Sequence, residues 1–265
     1  MNNQSNPIFI SGCVLFLLLF LHAPSSITAQ ETEDEREFDY DERSKKGPPR
    51  WGELKKEWEA CNSGEMQSPI DMSNDKVEII SKSGALTRNY KPSNATLKNR
   101  GHDISLKWVG DAGSIQINGT DYMLRQCHWH SPSEHHINGQ RYALELHMVH
   151  ESPDLNVKNK IAVVGLLYKI GEADVFLSKL SRNISSLKNS LEESNVGEID
   201  PTDIKMGGRS YYKYMGSLTV PPCTEGVLWI INEEYAESNA RPLQALNGRE
   251  VYLYRPRLRP RVTKN

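Results

Sequence analysis

The chain has no apolar run long enough to cross a bilayer, because the longest, Ile8 to Leu21, stops short of the roughly 20 residues that a spanning helix needs. It has no dominant charge either. Its 32 Lys and Arg against 34 Asp and Glu leave a formal net charge of -2, which supplies no field to draw in nucleic acid or an anionic membrane. Cysteine is scarce, at four residues in 265, so a disulfide-dense scaffold is excluded. No internal repeat and no low-complexity block interrupts the main body of the chain. What remains, 37% hydrophobic and 25% charged residues, is the composition of one large globular domain that takes a small neutral or anionic ligand.

The ends depart from that average. Ile8 to Leu21 is followed by a small-residue segment ending at Ala29, the shape of a signal peptide over residues 1–29, although Met1 to Pro7 carries no Lys or Arg. This predicts entry into the secretory pathway and no membrane association after cleavage, with an uncleaved anchor as the alternative that the short run argues against. Sequons at Asn94, Asn118 and Asn183 agree with that route. Cys13 falls in the leader, leaving Cys61, Cys127 and Cys223 for one bridge and one thiol. The favoured pair is Cys61 with Cys223, which would tie an N-terminal loop to a far segment and remove much loop entropy from the unfolded chain. Between Glu31 and Glu42 eight of twelve residues are acidic, so residues 30–46 read as a disordered linker. The folded domain is expected over 47–255, and a basic, proline-broken tail over 256–265.

Within the domain the hydrophobic period is two, as in Ile104 to Trp108 and Ser114 to Ile117, with turn signals at Asn118-Gly119 and Asn138-Gly139. Most of the core is therefore sheet. One segment, Val175 to Leu187, carries apolar residues at Val175, Phe176, Leu180, Ile184 and Leu187 and reads as an amphipathic helix.

Five of the eight histidines lie between His128 and His147. In Gln126-Cys127-His128-Trp129-His130 alternate side chains point to opposite faces of a strand, so His128 and His130 project together while Cys127 and Trp129 point away. Cys127 is thereby excluded as a ligand and reads as a small buried hydrophobe. Tyr142 to His150 reads as the return strand, with Glu145, His147 and Val149 on one face. His147 can then approach the first pair, and three histidines leave a fourth tetrahedral position for water, the mark of a catalytic zinc. Gln126 and Glu145 stand two residues from ligands on the same faces, placed to fix the imidazole tautomers. A zinc peptidase is disfavoured, because His147-Met148-Val149-His150 lacks the glutamate after the first His and strand alternation separates its two histidines.

Gln67-Ser68-Pro69-Ile70-Asp71, His128-Trp129-His130 with Ser133-Glu134-His135, Glu145 to His150, and Ser217 to Pro222 together resemble the α-class carbonic anhydrases, most closely those of plants. The resemblance runs in order from about Trp51 to Arg249. It implies a mostly β (α+β) single domain with a central twisted, mostly antiparallel sheet, short peripheral helices and zinc in a conical cleft. It implies reversible hydration of carbon dioxide to bicarbonate and a proton, by attack of zinc-bound hydroxide and His-mediated proton export. His128, His130 and His147 match the zinc ligands. Thr219 matches the hydroxyl that orients the nucleophile, and Glu134 the carboxylate that accepts its proton. His102 matches the proton shuttle. Val149, Val163, Leu218 and Trp229 match the apolar wall that holds carbon dioxide, beside Thr219 and Val220, and the secreted members' disulfide matches Cys61 with Cys223. Anions and sulfonamides are implied as inhibitors, and a monomer or weak dimer as the assembly. The secretory leader implies the extracellular space or cell wall, with the chloroplast stroma, reached by the same route in some plant relatives, as the alternative. Two departures stand out: Val220 replaces a threonine common in animal members, and Glu53 replaces a tyrosine in the Trp51-Gly52-Glu53 stretch.

Overall fold

The structure is a computed structural model and describes residues 37–80, 86–171, 173–187, 192–206, 210–233 and 244–254. The predicted signal peptide and C-terminal tail lie outside the described residues. Among the described residues no helix is long and apolar enough to cross a membrane.

In chain order the elements are α1 (Trp51–Leu54), α2 (Ala60–Ser63), β1 (Asp71–Met72), β2 (Val77–Ile80), β3 (Leu86–Tyr90), β4 (Ser93–Asn99), β5 (Ile104–Trp108), β6 (Gly113–Ile117) and β7 (Thr120–His130). There follow β8 (His136–Ile137), β9 (Gln140–Arg141), β10 (Leu144–Glu151), β11 (Ile161–Tyr168), α3 (Val175–Leu187), β12 (Glu193–Ile199), β13 (Tyr211–Ser217), β14 (Glu225–Glu233) and β15 (Val251–Tyr254). One large sheet has the order β12-β4-β5-β7-β10-β11-β14-β13-β15-β2, with β6 bridging β3 and β7. Its pairings are antiparallel except β11 with β14 and β15 with β2. The fold is therefore the mostly antiparallel, strand-dominated domain that the resemblance implies.

Both turn signals form tight hairpins. Asn118 and Gly119 join β6 to β7 at φ 51° and 87°, and Asn138 and Gly139 join β8 to β9 at 52° and 76°. Positive φ at both central positions matches the right-handed twist of the flanking strands. The α3 helix lies where the periodicity places it, and Asp174 caps it by accepting from the Leu177 amide at 2.7 Å. Phe176, Leu180 and Leu187 are buried and Ile184 packs beside them, whereas Val175 is exposed.

Strand alternation divides the interior in two. Cys127, Trp129, Leu144, Leu146 and Met148 join the core beneath α3, whereas Val163, Leu167, Leu218 and Trp229 build a second core on the other side of the sheet. A third cluster corrects the sequence reading of residues 30–46 as a disordered linker. Phe38 is 2% exposed and packs with Trp51, Trp58, Cys61, Val220 and Cys223. The Trp51 indole donates to the carbonyls of Asp39 and Lys46, at 3.1 and 3.0 Å. Two aromatic side chains, Phe38 and Tyr40, anchor a segment whose acidic composition pointed to solvent, so the folded body begins by residue 37; residues 30–36 lie outside the described residues.

Candidate metal centre

β7 and β10 are antiparallel neighbours with His147 opposite His128 and Glu145 opposite His130. Directly opposed residues share a face, so the register itself gathers the three histidines. All are at most 1% exposed. Their ring centroids are 4.9, 5.0 and 4.6 Å apart, and one nitrogen from each lies within 4.8 Å of the others. No fourth His, Cys, Asp or Glu among the described residues joins that group.

The remaining ring nitrogens decide what the group can do. Glu145 Oε1 lies 2.8 Å from His147 Nε2, and Gln126 Oε1 lies 2.9 Å from His128 Nδ1. Burial alone would raise the Glu145 carboxyl, but His135 and His147 beside it hold it well below the usual carboxylate range. A carboxylate only accepts, so His147 keeps its proton on Nε2 and turns a lone pair out at Nδ1. The Gln126 oxygen does the same for His128, whose charged form is disfavoured first by burial. His147 Nδ1 and His128 Nε2 then face each other at 3.2 Å as two acceptors. A cation beside them converts that repulsion into ligation, and an all-imidazole donor set suits zinc.

Glu145 also organises the ground behind the ligands. Its Oε2 accepts from the amides of Glu134 and His135, at 2.9 and 2.8 Å, and its Oε1 accepts from His135 Nδ1 at 2.6 Å. His135 Nε2 is then left to accept from the Tyr214 hydroxyl at 2.6 Å, and Tyr214 meets Ser68 Oγ at 2.7 Å. Burial pushes the Tyr214 hydroxyl well above its ordinary value, keeping it a donor. Gly165, opposite His147 on β11, leaves room for this packing: a Cβ there would lie 2.6 Å from Ile231 Cδ1 and 3.1 Å from Glu145 Oε1.

Of the other predicted residues, Glu134 and Trp229 lie against this centre. Glu134 is fully buried, with Oε2 at 3.6 Å from His130 Nε2 and 4.0 Å from His147 Nε2. Thr219, 3% exposed, lies in the loop after β13, which the Leu218 amide closes on the Thr224 carbonyl at 3.0 Å. Val163, Leu218 and Trp229 share one apolar cluster with Val149 against it, and the Trp229 ring is 4.8 Å from both His147 and His135. Val220 is grouped elsewhere, in the N-terminal cluster around Trp51 and the disulfide. Cys61 and Cys223 are bonded, and Cys127 is free and buried. Asn94 and Asn118 are exposed, whereas Asn183 is half-buried on α3. Glu53 pairs with Arg50 at 2.9 Å on the surface.

His102, which the resemblance matches to the shuttle, has a buried side chain. Its side chain is 4% exposed, with its ring 5.1 Å from that of Phe38 and its Nε2 3.7 Å from Asp103 Oδ2. Sequence reasoning gave no role to Phe38, Arg100, Asp103, His135, Tyr214 or Gly165. Arg100 and Asp103 left a local signal as opposite charges flanking His102, and His135 as a member of the histidine cluster.

The match to known proteins follows this geometry. The family model for eukaryotic-type carbonic anhydrase matches residues 46–237. The chain belongs to that family. It is 52% identical to alpha carbonic anhydrase 7 of Arabidopsis thaliana, over 92% of this chain and 97% of that one. Among solved structures, dioscorin complexed with ascorbate superposes with a TM-score of 0.77 at 40% identity, covering 83% of this chain and 98% of that one. A hyperthermostable carbonic anhydrase from a hydrothermal vent chimney gives 0.73 at 32% identity, covering 82% and 100%. Membership in the family supports carbon dioxide hydration in general, and the triad is placed to bind a metal.

Proposed function

We propose that this member of the family is a zinc enzyme that converts carbon dioxide and water reversibly into bicarbonate and a proton. The observation that carries the reading is the pair of imidazole acceptors, His128 Nε2 and His147 Nδ1, held face to face at 3.2 Å. When bound, zinc supplies Lewis acidity and draws a nucleophile from water at neutral pH. Glu145 and Gln126 hold His147 and His128 in the tautomers that direct a lone pair inward. Thr219 donates its hydroxyl proton to Glu134, since a carboxylate can only accept, and so presents a lone pair that orients the attacking oxygen. Val149, Val163, Leu218 and Trp229 offer the uncharged substrate an apolar surface, and His102 carries the released proton away. Anions and sulfonamides are the expected inhibitors.

The same reading holds that residues 1–29 are a signal peptide, that Asn94, Asn118 and Asn183 are glycosylation sites and that the mature chain is a monomer or weak dimer. Its destination is the extracellular space or cell wall, with the chloroplast stroma as the alternative.

A second reading, a metal-free binding protein on this scaffold, is favoured by the likeness to dioscorin, which was solved with ascorbate. Zinc per chain and stopped-flow carbon dioxide hydration, on wild type beside His147→Ala, separate the two. One zinc per chain with activity lost in the variant supports the enzyme; a zinc-free, inactive wild type supports the binder.

A further inference from the structure

The N-terminal segment that the acidic composition disguised lies directly over the proposed shuttle. Phe38, 2% exposed, meets Trp51 and Trp58 edge-on at 5.3 and 6.3 Å and sets its ring 5.1 Å from that of His102. The start of the segment is tied down by Lys55 on Glu37 at 2.6 Å, and its two ends are joined where the Asp39 amide meets the Lys46 carbonyl at 3.0 Å. On the other side His102 faces Asp103. That carboxylate is fully buried and gripped by Arg100, whose Nε donates to Oδ1 at 2.7 Å and whose Nη2 donates to Oδ2. Burial disfavours the charge on Asp103, but the Arg100 guanidinium bonded to it holds its carboxyl well below the ordinary range. The Arg100 amide on the Asp103 carbonyl at 2.9 Å, and the Gly101 amide on Asn99 Oδ1 at 2.8 Å, fix the loop that carries the imidazole.

A proton carrier has to exchange with solvent, and a side chain 4% exposed does so only when its cover moves. We propose that Phe38 is a positioning residue for proton export: it closes over His102 and holds the imidazole against Asp103, so that the N-terminal segment sets how often the shuttle reaches water. This rests on the reading of His102 as the proton carrier. Proton export follows departure of bicarbonate, so the cover acts on kcat and leaves kcat/KM alone. When the competent state is only partly populated, the rate scales with its population. An aromatic pair contributes enough to shift such an equilibrium about two- to tenfold.

The test compares wild type with Phe38→Ala and with Phe38→Leu, which keeps an apolar filler should the alanine variant unfold. Each is made with and without His102→Ala. One readout needs no activity: the rate at which diethyl pyrocarbonate modifies His102, read by peptide mass spectrometry against the half-buried His136 of the same molecule. We expect His102 to react more slowly than His136 in wild type and about two- to tenfold faster in Phe38→Ala, with Phe38→Leu between. In the second readout, kcat at low buffer rises by a similar factor, kcat/KM stays unchanged, and the gain vanishes in the His102→Ala background. Wild-type His102 reacting as fast as His136, or a kcat in Phe38→Ala that does not rise, would overturn the proposal. Absence of zinc-dependent hydration in every variant would instead strike the functional reading, and the modification rates would still decide whether Phe38 covers His102.

Discussion

Replacing Glu145 by glutamine separates holding a metal from holding the fold. Each oxygen of this buried carboxylate accepts two hydrogen bonds: Oε2 from the amides of Glu134 and His135, Oε1 from His135 Nδ1 and His147 Nε2. A glutamine has one oxygen and one NH2. The backbone amides cannot become acceptors, so the oxygen stays with them and the NH2 faces the two imidazoles. His147 then accepts at Nε2 and moves its proton to Nδ1, the atom 3.2 Å from His128 Nε2. Two acceptors in repulsion become an ordinary hydrogen bond. The metal-free protein should lose only about 1–3 kcal/mol, the scale of one rearranged buried polar contact. Zinc affinity, however, should fall about 10- to 100-fold, or about 1.4–2.8 kcal/mol, because a ligand's lone pair now carries a proton. Glu145→Ala has no acceptor to offer and leaves four buried donors stranded, so it should lose on the order of 5 kcal/mol or fail to fold. Competition with a chelator measures affinity, and urea unfolding of the metal-free proteins measures stability. Glutamine at this position binding zinc as tightly as wild type would refute the tautomer argument.

Breaking the Cys61–Cys223 bond, which spans 162 residues, should lower stability by up to about 5 kcal/mol; unfolding of the Cys61→Ala, Cys223→Ala double variant in urea checks this. His150, buried between the Tyr90 hydroxyl and the Ala162 carbonyl, is depressed by burial from 6.5 to about 3. The unfolded chain therefore binds the extra proton first as pH falls, and this one group should remove about 1.4 kcal/mol of stability per pH unit from 6.5 toward 3, beside the loss that the likewise depressed His128 adds in the metal-free protein. The depressed Glu145 adds to that loss only below the ordinary carboxylate range. Urea titrations across this window should show a shallower slope between 6.5 and 4.5 in His150→Gln. Val220→Thr puts a hydroxyl into the apolar cluster around Trp51, and should cost about 1–3 kcal/mol in the same assay.

What could be read from the sequence were the local relations. Alternation within Gln126 to His130 and within Leu144 to Val149 fixed which side chains share a face, and the register of β7 on β10 obeys it. The limits of α3 and both Asn-Gly hairpins followed from equally local rules. Alternation was silent where it vanishes. All eight residues of β11 are buried, so nothing in that strand announced its parallel pairing with β14, which brings Trp229 against His147. The network behind the ligands was hidden for a related reason. His135 meets Tyr214 across 79 residues, and Ser68 meets Ser217 across 149, separations that no periodicity encodes. Phe38 was masked differently. Composition averages a segment, and two aromatic side chains among acidic neighbours do not move the average, yet packing depends on those two alone. A window-averaged charge therefore misplaces the edge of a domain where a few large apolar residues dock. Here that edge carries consequence, because the ring it concealed lies beside His102, the residue proposed to carry the proton.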